Sequence, residues 1–104
     1  MSRFTEIEAF IQVCELNSFT LAAEKLMVSR SRISQLVSSL EERVGVRLMV
    51  RTTRSLSLTA EGEQFFNHCR EGMRQLAGAE ANLKLMSTRL TGPVRINAIG
   101  GLFG

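Results

Sequence analysis

Arg30, Ser34 and Ser38 recur at four-residue spacing, so any helix containing them carries all three on one face, with Ser31 and Gln35 beside them. Their chemistry is hydrogen bonding to acceptor-rich planar edges. An arginine can hold guanine O6 and N7 as a bidentate pair, and a glutamine can do the same for adenine N6 and N7. Short serines allow close approach and can bond bases or phosphates. Arg32 lies further round, where it either reaches a phosphate or stays a plain surface arginine. Ile33, Leu36, Val37 and Leu40 fall at i, i+3, i+4 and i+7 on the opposite side. One helix thus has an apolar stripe for a core and a polar face free for a partner.

The charge pattern fits such a partner. The chain of 104 residues has a net charge of +3. Between Ser29 and Leu58 six arginines (30, 32, 43, 47, 51 and 54) stand against two glutamates (41 and 42), a local +4. A basic patch on an otherwise balanced chain marks a polyanion site, and a solvated face is the bland alternative. Arg43 reads as a surface residue or as an ion-pair partner for Glu41 and Glu42.

Other chemistries find no residues to carry them. His68 is the sole histidine, so no histidine cluster for a metal can form, and beside Cys69 it points a different way on a helix. No glycine-rich phosphate loop is present, and there is no tyrosine or tryptophan to stack single-stranded bases. The other carboxylates read as helix-capping and surface charges. No nucleophile, base and orienting group come together, so an enzyme is not expected. Cys14 and Cys69 lie on apolar stripes without paired spacing and read as buried thiols in a reducing compartment. No apolar run reaches membrane-spanning length and no signal peptide is visible, which predicts a cytoplasmic protein without a membrane partner.

The elements that position the polar face follow from periodicity and capping residues. Thr5-Glu6-Ile7-Glu8 fits a capping box, and Ile7, Phe10, Ile11 and Cys14 repeat at helical spacing, giving a first helix over about 5–16. A second helix starts at Ser18 or Thr20 and runs to about Leu26. Its Ala22, Ala23 and Leu26 offer a small-residue face, and Phe19 is read as a plug between the first two helices. After Met27-Val28, Ser29 can cap a third helix that runs to Val44 and stops at Gly45. Two helices joined by a tight turn over about 18–40 form a helix-turn-helix, whose second helix enters the major groove. From Val46 the period becomes two. Val46, Leu48 and Val50 alternate with Arg47, Met49 and Arg51, and Leu56 and Leu58 follow, which predicts a hairpin wing over about 46–58 with a basic tip.

Thr59 opens the longest helix, over 59–90. Phe65, Cys69, Gly72, Leu76, Ala79, Leu83, Met86 and Leu90 follow one another at steps of four and three, a 3.5-residue repeat. Such a seam needs a partner, and the simplest is the same helix in a second copy. Packing on another domain is the alternative. Thr91-Gly92-Pro93 breaks the helix, and residues 94–99 alternate like a strand.

The run from Glu8 to Glu63 also resembles the N-terminal domain of LysR-type transcriptional regulators. The likeness rests on Ser18-Phe19-Thr20, Ala22-Ala23-Glu24-Lys25-Leu26, Leu40-Glu41-Glu42, Gly45-Val46-Arg47-Leu48, Arg51-Thr52-Thr53-Arg54 and Leu58-Thr59-Ala60-Glu61-Gly62, in that order. The resemblance implies a mainly α fold, a winged helix-turn-helix of three helices and a two-stranded wing over 1–58. It further implies a dimerising linker helix over 59–90, with 91–104 as hinge and first strand of an effector-binding domain. It places base reading on Arg30, Ser31, Ser34 and Gln35, wing contacts on Arg51, Thr53 and Arg54, and phosphate contacts on Thr20 and Ser29. It departs from the family's habit at Arg30 (usually Gln), Arg32 (usually small), Gln35 (usually Arg), Met49 (usually Phe) and Met27, where Gly is common. The charge is therefore rearranged within the reading face, and the preferred DNA sequence cannot be borrowed.

The expected function is sequence-specific binding of double-stranded DNA in transcription regulation, as a homodimer through the linker helix, with a tetramer open for the longer protein. No cofactor is expected in this part of the chain, since a small-molecule effector would bind the further domain. The rival reading is a coiled-coil interaction module on a winged-helix scaffold that does not bind DNA.

Overall fold

The computed structural model describes residues 2–52 and 55–90, apart from the side chains of residues 89 and 90. The elements in chain order are α1 (Arg3–Leu16), α2 (Phe19–Leu26), α3 (Arg30–Val44), β1 (Met49–Arg51), β2 (Leu56–Leu58) and α4 (Ala60–Leu90). Among the described residues the fold is mainly helical with one two-stranded sheet, as the periodicity predicts; the strand expected over 94–99 lies outside them. Two compact units result, Met1–Glu71 and Gly72–Gly104. The first therefore takes in the opening turns of α4 and runs past residue 58, where the sequence places the boundary.

Each short helix is bounded by residues whose chemistry ends it. Ser2, Ser18 and Ser29 are the N-caps of α1, α2 and α3, their hydroxyls accepting from the N–H groups of Phe4 and Thr5, of Leu21, and of Arg32. The first of these replaces the expected capping box at Thr5, because Ser2 already satisfies the orphan donors three residues earlier. The C-caps Asn17, Met27 and Gly45 are left-handed, with φ of 52°, 62° and 81°. Met27 thus holds a backbone conformation that costs a residue with a Cβ about 1–2 kcal/mol.

The core of the first unit lies among α1, α2 and α3. It contains Ala9, Phe10, Val13, Phe19, Ala22, Ala23, Ile33, Leu36, Val37 and Leu40, closed by Leu48 and Met49. All four members of the α3 stripe are buried. On α1 the buried residues are Glu6, Ala9, Phe10, Ile11 and Val13, so the face in the core is turned from the expected Ile7/Phe10/Ile11/Cys14 stripe. Ile7 and Cys14 sit half-buried at its margin.

The wing is a two-stranded antiparallel ribbon in which Met49 pairs with Leu58, Val50 with Ser57 and Arg51 with Leu56. Its first strand does not follow the expected alternation. Leu48 and Met49 are both buried while Val46 and Val50 are 43% and 44% exposed. The cause is Glu41 of α3. One of its carboxylate oxygens accepts from the N–H groups of both Leu48 and Met49, at 2.9 and 3.1 Å, so regular pleating starts only at Met49. The tip is tied by Thr52 N–H to the Ser55 carbonyl at 2.9 Å and by Ser55 N–H to Thr52 Oγ1 at 3.0 Å.

The start of α4 is pinned to the same segment. Thr59 N–H donates to the Leu48 carbonyl at 3.0 Å, its hydroxyl donates to the Arg47 carbonyl at 2.7 Å, and Gly62 N–H donates to that hydroxyl at 2.9 Å. Gly62 is required by close approach, since a Cβ there would stand 1.9 Å from the Leu48 carbonyl oxygen. Phe65 and Phe66 then pack on Phe10 with centroids 5.5 and 6.4 Å away.

Candidate nucleic-acid interface

Helix α3 presents its polar face because its apolar stripe is consumed by the core. Arg30, Ser31, Gln35 and Ser38 are exposed, while Arg32 and Ser34 are half-buried. Ser34, Gln35 and Ser38 line an open groove with Ser39 and Glu42. Thr20 is exposed in the first turn of α2. Ser29 Oγ accepts from Arg32 N–H at 3.0 Å, and its hydroxyl hydrogen remains available for an acceptor such as a phosphate.

The structure brings three of the sequence-predicted residues together around Phe19. Arg51, on the wing, donates from Nη1 to Ser34 Oγ at 2.8 Å. The guanidinium carbons of Arg51 and Arg30 lie 4.5 and 5.6 Å from the centroid of the Phe19 ring. Phe19 is a core residue, as expected, and a shared aromatic contact for two cations as well. The available hint was its position at the first residue of α2, the helix directly before α3. Thr53 and Arg54, the expected wing-tip contacts, lie outside the described residues.

Not every arginine of the basic stretch is free for a partner. The Arg43 guanidinium is held by the Glu6 carboxylate, through Nη2 at 2.8 Å and Nε at 2.9 Å, while Ser39 Oγ donates to the other Glu6 oxygen at 2.5 Å. The Ser39 hydrogen bond does most to hold the Glu6 carboxyl below its usual range. Burial opposes it, and the Arg43 hydrogen bond and charge reinforce it. Glu6 is thus a buried charge rather than a cap, and Arg43 pairs with it rather than with Glu41 or Glu42. The missed signal was its spacing: Glu6, Ala9, Phe10 and Val13 fall at i, i+3, i+4 and i+7.

The heptad seam divides between two environments. Phe65 and Cys69 turn toward the first unit, Phe65 against Phe10 and Cys69 half-buried. Burial, assisted by the neighbouring Cys69, pushes the Cys14 thiol up to about 12, and burial also raises Cys69. Neither thiol is an activated nucleophile. Within the second unit Gly72 and Ala79 are exposed, as are Leu76, Leu83 and Met86 at 61%, 64% and 52%. The side chain of Leu90 lies outside the described residues. Among the described residues no helix is long and apolar enough to cross a membrane, and no group of three or more metal-ligating side chains occurs.

Comparison with known proteins gives this geometry a context. The family model described as "Bacterial regulatory helix-turn-helix protein, lysR family" matches residues 4–63. The chain is 40% identical over 93 residues to the HTH-type transcriptional regulator CrgA of Neisseria meningitidis serogroup C (strain 8013), covering 89% of this chain and 31% of that protein. The chain spans about a third of the length of the curated relatives it matches. Among solved structures, the BenM DBD in complex with benA site 1 DNA superposes with a TM-score of 0.74 at 27% identity, covering 82% of this chain and 99% of that one. The CbnR DBD–DNA complex superposes with a TM-score of 0.69 at 31% identity, covering 84% and 99%.

Proposed function

The chain belongs to the lysR family of bacterial regulatory helix-turn-helix proteins, and we propose that it is the part of such a regulator that reads duplex DNA, with α3 in the major groove and the wing beside it. Membership of that family makes it a DNA-binding transcription regulator and not an enzyme. The observation that carries the docking geometry is the exposed polar face of α3, with Arg30 and the wing's Arg51 gathered beside it over Phe19. A major groove about 12 Å wide admits one helix, and an exposed face of Arg, Ser and Gln matches its donor and acceptor pattern. In this reading Arg30, Ser31, Gln35 and Ser38 meet base edges. Thr20, Ser29, Arg32 and the wing arginines bind phosphates or the minor groove.

The chain acts as a homodimer. Leu76, Leu83 and Met86 expose apolar surface at heptad spacing, and a second copy of α4 from Gly72 onward supplies the matching seam. In this reading the DNA-binding and linker parts divide at residue 59, while packing of the first unit continues to Glu71. Assembly of the whole regulator into a tetramer, and its response to a small molecule, belong to a further domain. The protein works in the cytoplasm, where its DNA is, and the contacts above need no cofactor.

The test is a fluorescence-anisotropy titration of a labelled duplex across salt concentrations, with the oligomeric state read by light scattering. Affinity that falls steeply with salt, on a dimeric species, supports the reading. A monomer that does not retain duplex even at low salt overturns it.

A further inference from the structure

Phe19 has two neighbours that a core plug does not require. The guanidiniums of Arg51 and Arg30 both stand within the roughly 6 Å at which an aromatic face attracts a cation, one delivered from the wing and one from α3. Arg51 is also tethered, its Nη1 donating to Ser34 Oγ at 2.8 Å. An exposed arginine on a short edge strand would otherwise sample many rotamers. Here ring and hydroxyl fix one of them, and that one lies against the reading helix rather than beyond the wing tip. Among the described residues neither Arg30 nor Arg51 has a carboxylate within ion-pair distance. Two like charges beside one ring gain nothing from each other, so the arrangement suits an acceptor brought from outside.

Resting on the DNA-binding reading above, we infer that Arg51 serves the reading face of α3 together with Arg30, and that Phe19 and Ser34 are the positioning residues that hold it there. Arg51 is then not a wing-tip contact. Ser34 acts by aiming the arginine, since a hydroxyl lone pair is committed to it, rather than as an independent base reader. What Arg51 takes is a pair of adjacent acceptor atoms on the duplex, either two phosphate oxygens or guanine O6 and N7, both of which fit a fixed planar fork.

Arg51→Lys tests this without disturbing the core. Lysine keeps the charge but lacks the planar fork, so it cannot stack, donate to Ser34 and still present two parallel donors. Binding is read by anisotropy with a labelled random-sequence duplex and with the tightest duplex selected from a randomised pool. Arg51→Lys should lose about tenfold in affinity for the selected duplex, close to the loss in Arg51→Ala. Ser34→Ala should weaken binding several-fold alone and add nothing on top of Arg51→Ala. Phe19→Leu should weaken binding more than its melting temperature accounts for, and Phe19→Tyr, which keeps the ring, should restore it. An equal loss on both duplexes assigns Arg51 to phosphate, and a loss confined to the selected one assigns it to a guanine; either supports the inference. If Arg51→Lys binds like the unaltered chain, Arg51 is a plain surface charge, and if Ser34→Ala and Arg51→Ala are additive, Ser34 does not act through Arg51; either result overturns the inference. A failure of the unaltered chain to bind either duplex would instead defeat the reading on which it rests.

Discussion

Helix α3 carries an arginine near each end, and the fold treats the two in opposite ways. Arg43, in the last turn, is bound by the Glu6 carboxylate of α1, which is itself buried and fixed by Ser39. Arg30, in the first turn, has an aromatic ring for a neighbour and leaves its charge unneutralised. The same side chain therefore belongs to the scaffold at one end and, in the proposed reading, to the contact surface at the other. What separates them is the residue opposite. A buried carboxylate consumes an arginine's donors, whereas a ring stabilises the cation without using its N–H groups. Substitutions should sort accordingly: those at the scaffold end change melting temperature, and those at the reading end change DNA binding.

The largest effect is expected where backbone meets backbone. Gly62→Val would drive side-chain atoms into the Leu48 carbonyl. It should cost on the order of 3 kcal/mol in denaturant unfolding and loosen the wing, because Thr59 and Leu48 are held by the same contacts. Next comes Arg30→Ala, which should leave the melting temperature within a degree or so and cost about 2 kcal/mol of discrimination at one base pair, read by competition between single-base variants of a selected duplex.

The scaffold end should show itself through pH. The folded Glu6 carboxyl is held below its ordinary range, so the folded state binds this proton less readily than the unfolded chain. Its stabilisation is then fully present at neutral pH, above the ordinary carboxylate range near 4, and is lost as pH falls through the lowered value. Melting temperature should drop over that acid window in the unaltered chain. Glu6→Gln should start lower at neutral pH and lose part of the slope. A slope unchanged by Glu6→Gln would place the acid-sensitive contact elsewhere.

Smaller effects sharpen the contrast. Arg54→Ala should weaken all duplexes alike and reduce the slope of log affinity against log salt by about 1, the signature of a lost phosphate contact. If Arg54→Ala changed sequence preference and Arg30→Ala changed only the salt slope, their roles would be reversed. Met27→Gly should raise stability by roughly 1 kcal/mol or less, since glycine adopts the φ of 62° at no steric cost.

Much of this was legible in the sequence because local rules agree with one another. The third helix was readable from end to end, since Ser29 caps it, Gly45 stops it and the Ile33/Leu36/Val37/Leu40 stripe orients it. Once the stripe is buried the polar face follows by geometry. What escaped reading depended on residues far apart in the chain. Glu41 reaches Leu48 and Met49 and delays the strand, so period-two alternation misplaced Met49 and Val50. Glu6 read only as one of the helix-capping and surface carboxylates, whereas Ser39 and Arg43, from the far half of α3, meet it in the core. Phe65 continues the heptad pattern in sequence, yet it packs at the margin of the first unit's core, and Cys69 is half-buried. Spacing shows which residues share a face, and only packing shows what that face meets.

The most direct test of the central claim, that α3 and the wing read DNA sequence as a pair of copies, is selection from a randomised duplex pool followed by salt titration of the winner. The account predicts an enriched inverted repeat with half-sites about one helical turn apart, and an affinity that falls with salt. Tight binding without any enriched sequence would reduce the site to a basic surface and contradict the claim.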